Sequence, residues 1–220
     1  PMVRSRLSDV RDGLRTVLTT SPFLVLRDQV ASMRQRLEHM AANRSYDALH
    51  ADQLWMASYG MNGVNAGLRV LDQHNAVFMI PRRLAGHHES RFVRTLLRNE
   101  AAKLEAFERD ACRRFDRVVW VTEEDRRALV QPGEDRDLRD SVIPIATDPI
   151  ANGLIARSQP FRVTFLGGMH WPPNMEGVSW FVKNVWPRVA RAVPSSVLTL
   201  IGKQRSKELS HFQDAPRVEV

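Results

Sequence analysis

The chain predicts an α/β fold: two units of short parallel strands covered by helices, the second beginning near residue 161. Three observations predict it. Short apolar runs bounded by polar residues (YDALH, RVLD, RVVWV, FRVTFL, SVLTLI) alternate with stretches of helical period. A mixed segment at 146–160, with Pro149 and Gly153, separates two such series. Two strand ends run straight into glycine, at FLGG and LIG, as strand-to-helix turns do.

The elements follow in order. A helical stretch at 5–18 is broken by Ser21-Pro22. A second helix is predicted over 27–42, where Val30, Met33, Leu37 and Met40 share a face. YDALH at 46–50 reads as a strand, 53–60 as a helix, and the Gly/Asn-rich 61–67 as a loop. RVLD at 69–72 is the next strand, ending in His74-Asn75. The longest predicted helix spans 89–115, with a stripe of Phe92, Leu96, Leu97, Leu104, Phe107, Ala111 and Phe115. RVVWV at 117–121 is a strand, and Thr122 followed by Glu123, Glu124 and Asp125 is a capped helix start. SVIPI at 141–145 closes the first unit.

The second unit opens with a strand at 161–166 and Gly167-Gly168. The loop MHWPPN, a helix at 175–193 containing Pro187, a strand at 196–201 and a strand beginning at 217 come next. The expected division is therefore 1–146, a linker at 147–160, and 161–220. A second domain of about 60 residues is marginal on burial grounds, so a chain cut after two or three strands is expected there.

Composition narrows the classes. Hydrophobic residues make up 43% of the chain and charged ones 26%, too apolar for disorder. No run approaches the roughly 18 apolar residues of a membrane-spanning helix. The N-terminal PMVRSRLSDV has no secretory apolar run, and Cys112 is the single cysteine, with no zinc spacing around it. A cytoplasmic, metal-free protein is expected. Net charge is +7, but residues 1–150 hold 23 Lys+Arg against 21 Asp+Glu, while 151–220 hold 9 against 4. The positive excess sits in the second unit. It has no basic run and no aromatic-basic interleaving, so it suits an anionic small ligand rather than nucleic acid.

Ligands of open parallel sheets sit beyond the strands' carboxyl ends. The residues there are Asp52-Gln53, Gln73-His74-Asn75, Thr122-Glu123-Glu124, Gly167 to Trp171 and Gly202-Lys203. Gly167-Gly168 permits close backbone approach to a phosphate, or simply makes a tight turn. Lys203 offers a point charge, or a solvated loop lysine. His74, flanked by Asp72 and Asn75, can hydrogen-bond a sugar hydroxyl, or serve structure alone. Asp135-Arg136-Asp137 matches a metal-holding DxD but lies in the acidic run GEDRDLRD, which reads as a solvated loop.

Several segments in one order resemble family 4-type glycosyltransferases of the two-Rossmann-domain (GT-B) architecture. They are YDALHADQLWM, RVLDQHN, NEAAKLEAFERDACRRFDRVVWVTEEDR, VIPIATD, FRVTFLGGMHWPPNMEGVSWF and VLTLIGK. The third resembles the family's long helix leading to a D-x-V-x-x-V-S/T-E-x-D strand and turn, here Asp116 to Asp125. VIPIATD is similar to the hinge motif V-I-P-N-G-V-D, with Ile145-Ala146 in place of Asn-Gly. The resemblance implies retaining sugar transfer from a nucleotide-diphosphate donor, with no cofactor and no bound metal. By the same resemblance His74 lies near the transferred sugar, and Gly167, Gly168 and Lys203 lie on donor loops. Gly168 stands where many relatives carry arginine. Asp52, Gln53 and Asn75 are the acceptor-side candidates.

The expected partners are a nucleotide-sugar donor and a glycan or lipid-linked acceptor, with peripheral contact to the inner face of a membrane. Nucleic acid is not an expected partner. The family's E-x7-E segment and first glycine-rich loop are not among these residues, so the 220 residues alone are expected to be inactive. A sugar-nucleotide epimerase of the same fold, and a non-catalytic module docking through its Arg-rich helices, are the competing readings.

Overall fold

A computed structural model describes residues 11–13, 15–16, 19–42, 44–61, 64–130, 132–133, 139–146, 161–202, 212 and 214–220. The chain divides into two compact units, Pro1–Thr147 and Asp148–Val220. The linker expected at 147–160, Lys203, the DxD at 135–137 and most of the first expected helix lie outside the described residues.

In the first unit the described elements are α1 (Phe23–Arg27), α2 (Ala31–Ala41), β1 (Tyr46–Asp52), α3 (Leu54–Gly60) and β2 (Ala66–Gln73). They continue as α4 (Met79–His87), α5 (Arg91–Arg114), β3 (Arg117–Trp120), α6 (Glu123–Leu129) and β4 (Ser141–Val142). The strands pair in parallel in the order β1-β2-β3-β4. The register sets Asp52 opposite Asp72 and Gln73 opposite Trp120, so the carboxyl ends of the strands lie along one edge. Leu54, Leu71, Leu104, Phe115, Val118 and Trp120 are the fully buried centre of this unit's core.

Helix α5 forms because its ends are answered. Ser90 Oγ accepts from Val93 N at 3.4 Å, and Arg113 and Arg114 fill the last turn, where cations suit the dipole. Its expected apolar stripe holds over the second half, where Leu104, Ala111 and Cys112 are buried. Phe92 is 72% exposed and Leu96 46%. Geometry accounts for this: 24 helical residues span roughly 36 Å, whereas the eight residues of β2 span about 26 Å, so the helix outruns the sheet. Helix α6 starts where Thr122 Oγ1 accepts from Asp125 N at 3.1 Å.

The second unit holds β5 (Arg162–Leu166), α7 (Pro172–Asn184), α8 (Trp186–Ala192), β6 (Val197–Ile201) and β7 (Val218–Glu219). Its strands are also parallel, in the order β5-β6-β7. Met175, Val178, Val182, Trp186, Leu198 and Leu200 form its own core. The expected α/β class with two parallel sheets is thus observed.

Several boundaries differ from expectation. The expected helix at 27–42 is observed as α2 from Ala31, and Arg27 instead ends the separate short helix α1, with Asp28 to Val30 between the two. Strand β2 begins at Ala66, inside the expected loop, and β4 spans only two residues. Helix α4 was not expected. Pro81 lies in its first turn, where a missing N–H leaves no bond unmade. The expected helix at 175–193 begins earlier, at Pro172, and is interrupted at Val185, because Pro187 starts a new helix, α8. No helix among the described residues is long and apolar enough to cross a membrane.

Candidate functional site

The parallel register of β1 and β2 brings Asp52, Asp72 and His74 together at the sheet's carboxyl edge. His74 Nε2 lies 3.2 Å from Asp52 Oδ1 and 3.7 Å from Asp72 Oδ1. A second histidine, His50 on β1, puts its Nε2 3.7 Å from Asp72 Oδ2. Gln53 reaches His74 from the other side, its Nε2 standing 3.5 Å from Nδ1. The tautomer with its proton on Nε2 would accept from this amide at Nδ1 and donate to Asp52. Gln53 reaches this position at a conformational cost. Its φ is 69°, the left-handed region that a side chain disfavours, and its N–H donates to Asp72 O at 2.9 Å. The backbone strain and the side-chain contact coincide at one residue.

Exposure grades across this group. The Asp52 side chain is 68% exposed, His74 34% and Asp72 27%. A ligand therefore meets Asp52 first and finds His74 already backed by Asp72. One ligand atom each from Asp52, Asp72 and His74 lie within 4.8 Å of one another, so these three are also the donors among the described residues that could hold a metal ion.

Behind His74 the chain turns through residues 73–78 into α4. Asn75 is exposed, and its carbonyl accepts from Gln73 Nε2 at 3.0 Å. Ala76 N donates to Asp125 Oδ1 at 2.9 Å, and Phe78 N to Glu108 Oε1 at 2.9 Å. Glu108 and Gln73 are both fully buried, and Gln73 Nε2 stands 3.4 Å from Glu108 Oε2. Burial pushes the Glu108 carboxyl from 4.5 up to about 8, with the charges of Asp125 and Glu105 adding to the rise. The N–H groups of Phe78 and Val77 oppose it.

The second unit's edge is built differently. Gly167 N donates to Ile201 O at 2.9 Å, and Gly168 O accepts from Trp171 N and from Asn174 Nδ2, both at 3.1 Å. A Cβ on Gly167 would stand 2.9 Å from the Phe165 ring, and one on Gly168 would stand 2.7 Å from the His170 ring. A Cβ on Gly202 would collide with Gly167 O. Among the described residues only Gly133 is a glycine at positive φ, so Gly167 and Gly202 are glycine for want of space rather than for backbone angle, while beside Gly168 the neighbour is the exposed His170 ring. Pro172 opens α7 directly beyond this turn.

Of the residues singled out from sequence, Asp52, Gln53 and His74 are brought together, and Asn75 lies exposed beside them. Gly167 and Gly168 belong to the second unit, and Lys203 lies outside the described residues. Sequence reasoning missed His50, Asp72 as a carboxylate shared by two histidines, and Glu108. The clue to Glu108 was available: it is a carboxylate four residues after Leu104 and seven before Phe115, on the buried stripe of α5.

No family model and no solved structure matches the chain. Among curated proteins the chain is similar to one from Klebsiella pneumoniae described as an uncharacterized 44.6 kDa protein in the cps region. The two are 22% identical over 212 residues, covering 91% of this chain and 49% of that protein. The chain thus spans about half the length of this curated relative. It is a distant relative of a protein encoded in a capsular polysaccharide region, folded around two parallel α/β sheets.

Proposed function

We propose that this chain belongs to a retaining glycosyltransferase, which moves a sugar from a nucleotide-diphosphate donor onto a glycan or lipid-linked acceptor. One observation carries the reading: His74 is held by Asp52, Asp72 and Gln53 at the carboxyl edge of a parallel sheet. The distant relative's place in a capsular polysaccharide region supports it, since such polymers are made by sugar transfer. A sugar hydroxyl entering between His74 and Asp52 accepts from Nε2 and donates to the carboxylate, a two-sided grip that fixes the ring's orientation. Asp52, Gln53 and Asn75 line the acceptor side of this edge.

In the transfer, the bond from the donor's anomeric carbon to the diphosphate oxygen breaks. A bond to the acceptor oxygen forms on the same face, and the acceptor's proton leaves to the departing phosphate or to solvent. Charge grows on the leaving diphosphate. The second unit's Gly167-Gly168 turn and Lys203 are assigned to that charge, because bare backbone and a cation stabilise it best; the start of α7 takes no part, since Pro172 and Pro173 carry no N–H. The reading needs no metal and no cofactor. It puts the protein on the cytoplasmic side of the membrane, and against it where the acceptor is lipid-linked.

The test is His74→Ala in the full-length protein, assayed with a panel of nucleotide sugars. Turnover is expected to fall roughly 10²- to 10⁴-fold, with donor affinity unchanged within about twofold. Equal loss of donor binding, or no loss of either, removes His74 from the role. Formation of an epimerised nucleotide sugar without acceptor reassigns the chain to epimerisation.

A further inference from the structure

The turn carrying His74 is tied down from behind by carboxyls of two other helices and by Gln73 of β2. Helix α4 has no side-chain cap of its own, because its N-cap position is Phe78. Carboxylates from two other helices fill that role. Glu108, in the second half of α5, accepts from Phe78 N at 2.9 Å, with Val77 N also directed at it. Asp125, in the first turn of α6, accepts from Ala76 N at 2.9 Å. Gln73, the last residue of β2, donates from Nε2 to Asn75 O at 3.0 Å and stands 3.4 Å from Glu108 Oε2. Every residue of 73–78 except His74 is therefore held by one of these bonds, through its side chain, its carbonyl or its N–H.

This is an expensive way to cap a helix. A local Ser, Thr, Asp or Asn at the cap position would reach the first turn of the helix, not the N–H groups of Ala76, Val77 and Phe78 that precede it. Instead a carboxyl is fully buried, and burial pushes it up to about 8. Asp125 has a second bond with Thr122 Oγ1, so it is itself fixed at the start of α6. The two carboxylates meet the turn from different helices and define its position in two directions. The one residue of the segment outside the clamp, His74, then has a single place to stand: against Asp52 and Asp72.

We infer that Glu108 and Asp125 are positioning residues for His74, clamping the 73–78 turn so that the imidazole is presented to substrate in one orientation. The inference rests on reading His74 as the group that touches the transferred sugar. It adds two side chains that sequence reading did not place in the site, one of them with no access to solvent.

The experiment uses the full-length protein with Glu108→Gln and Asp125→Ala. Assays run at pH 9, where the wild-type carboxyl is ionised and both its oxygens accept; there the amide introduced by Glu108→Gln keeps an acceptor for Phe78 N but turns a donor toward Gln73 Nε2, so the turn loosens without a cavity. Turnover is expected to fall roughly 10- to 100-fold in either variant, with the donor KM within about twofold and the far-UV spectrum unchanged. The ring proton signals of His74 in NMR are expected to move toward random-coil positions. A KM rise with turnover intact, or unchanged turnover with a lower melting temperature, makes both residues plain helix caps and overturns the inference. Should Glu108→Gln fail to fold, Asp125→Ala, at a half-buried site, decides alone. Should the wild-type protein transfer no sugar, the transferase reading fails, and the His74 signals still decide: unchanged in both variants, they end the clamp.

Discussion

The carboxyl edges of the two sheets are made of opposite materials. In the first unit the edge is all side chain: two histidines and two aspartates within 3.7 Å of one another in successive pairs, with a strained glutamine completing the set. In the second it is nearly all backbone: Gly167, Gly168 and Gly202 are packed so closely that no Cβ fits without displacing a neighbour. The first edge can discriminate hydroxyl patterns, since it offers donors and acceptors in fixed places. The second can only approach, presenting peptide groups to something that tolerates little else.

The largest expected effect that sharpens this contrast concerns the buried acid behind the first edge. The folded pKa of Glu108, about 8, lies above its value of 4.5 in a solvated chain, so the folded state binds the proton more tightly. The stability contributed by the neutral carboxyl is fully present below about pH 4.5. It is lost as pH rises through about 8. The shift corresponds to roughly 3–5 kcal/mol across that window. Thermal melting between pH 5 and pH 9 is expected to show the wild type losing stability relative to Glu108→Gln, whose own pH slope is flat in this respect. Parallel slopes would mean that the carboxylate is accommodated as an anion.

Next comes Gly202→Ala, which sets a methyl against the carbonyl of Gly167 and should cost about 2–3 kcal/mol by overpacking. The loss should appear in the amide protection of β5 and β6 and leave β1 and β2 untouched. Protection lost equally in both sheets would break the picture of two separately built edges. The smallest effect is expected from Gln53→Gly. Relief of the positive φ should raise stability by about 1 kcal/mol, while removal of the amide beside His74 lowers turnover. A variant both more stable and equally active would show that the strain serves nothing at this edge.

Much of the fold was readable because parallel, doubly covered strands announce themselves as short apolar runs: β1, β3, β5 and β6 fall within two residues of expectation. Helix α4 was not readable. In MIPRRLAGH the Pro and Gly look like breakers, and only the three-dimensional position of Pro81 in a first turn makes it harmless. The site was half readable. His74 and Asp52 could be found as residues after strands, but their partnership through Asp72 depends on register, which pairs residues twenty positions apart. Glu108 lies farther still, 34 residues after His74, and its role needs the packing of α5 behind the turn. Local pattern names what stands at the end of each strand. It does not say what stands behind it.

The clamped turn also settles a competition. Consecutive backbone N–H groups opening a helix attract anions, and those of Ala76, Val77 and Phe78 are of that kind. Here the occupants are tethered to the same chain, and a tethered group competes at an effective concentration that freely diffusing anions at millimolar levels do not match. Any phosphate arriving at the first sheet's edge therefore finds these N–H groups already taken. What this edge leaves open to a ligand is the side chains of Asp52, Asp72 and His74, not the backbone N–H groups behind them.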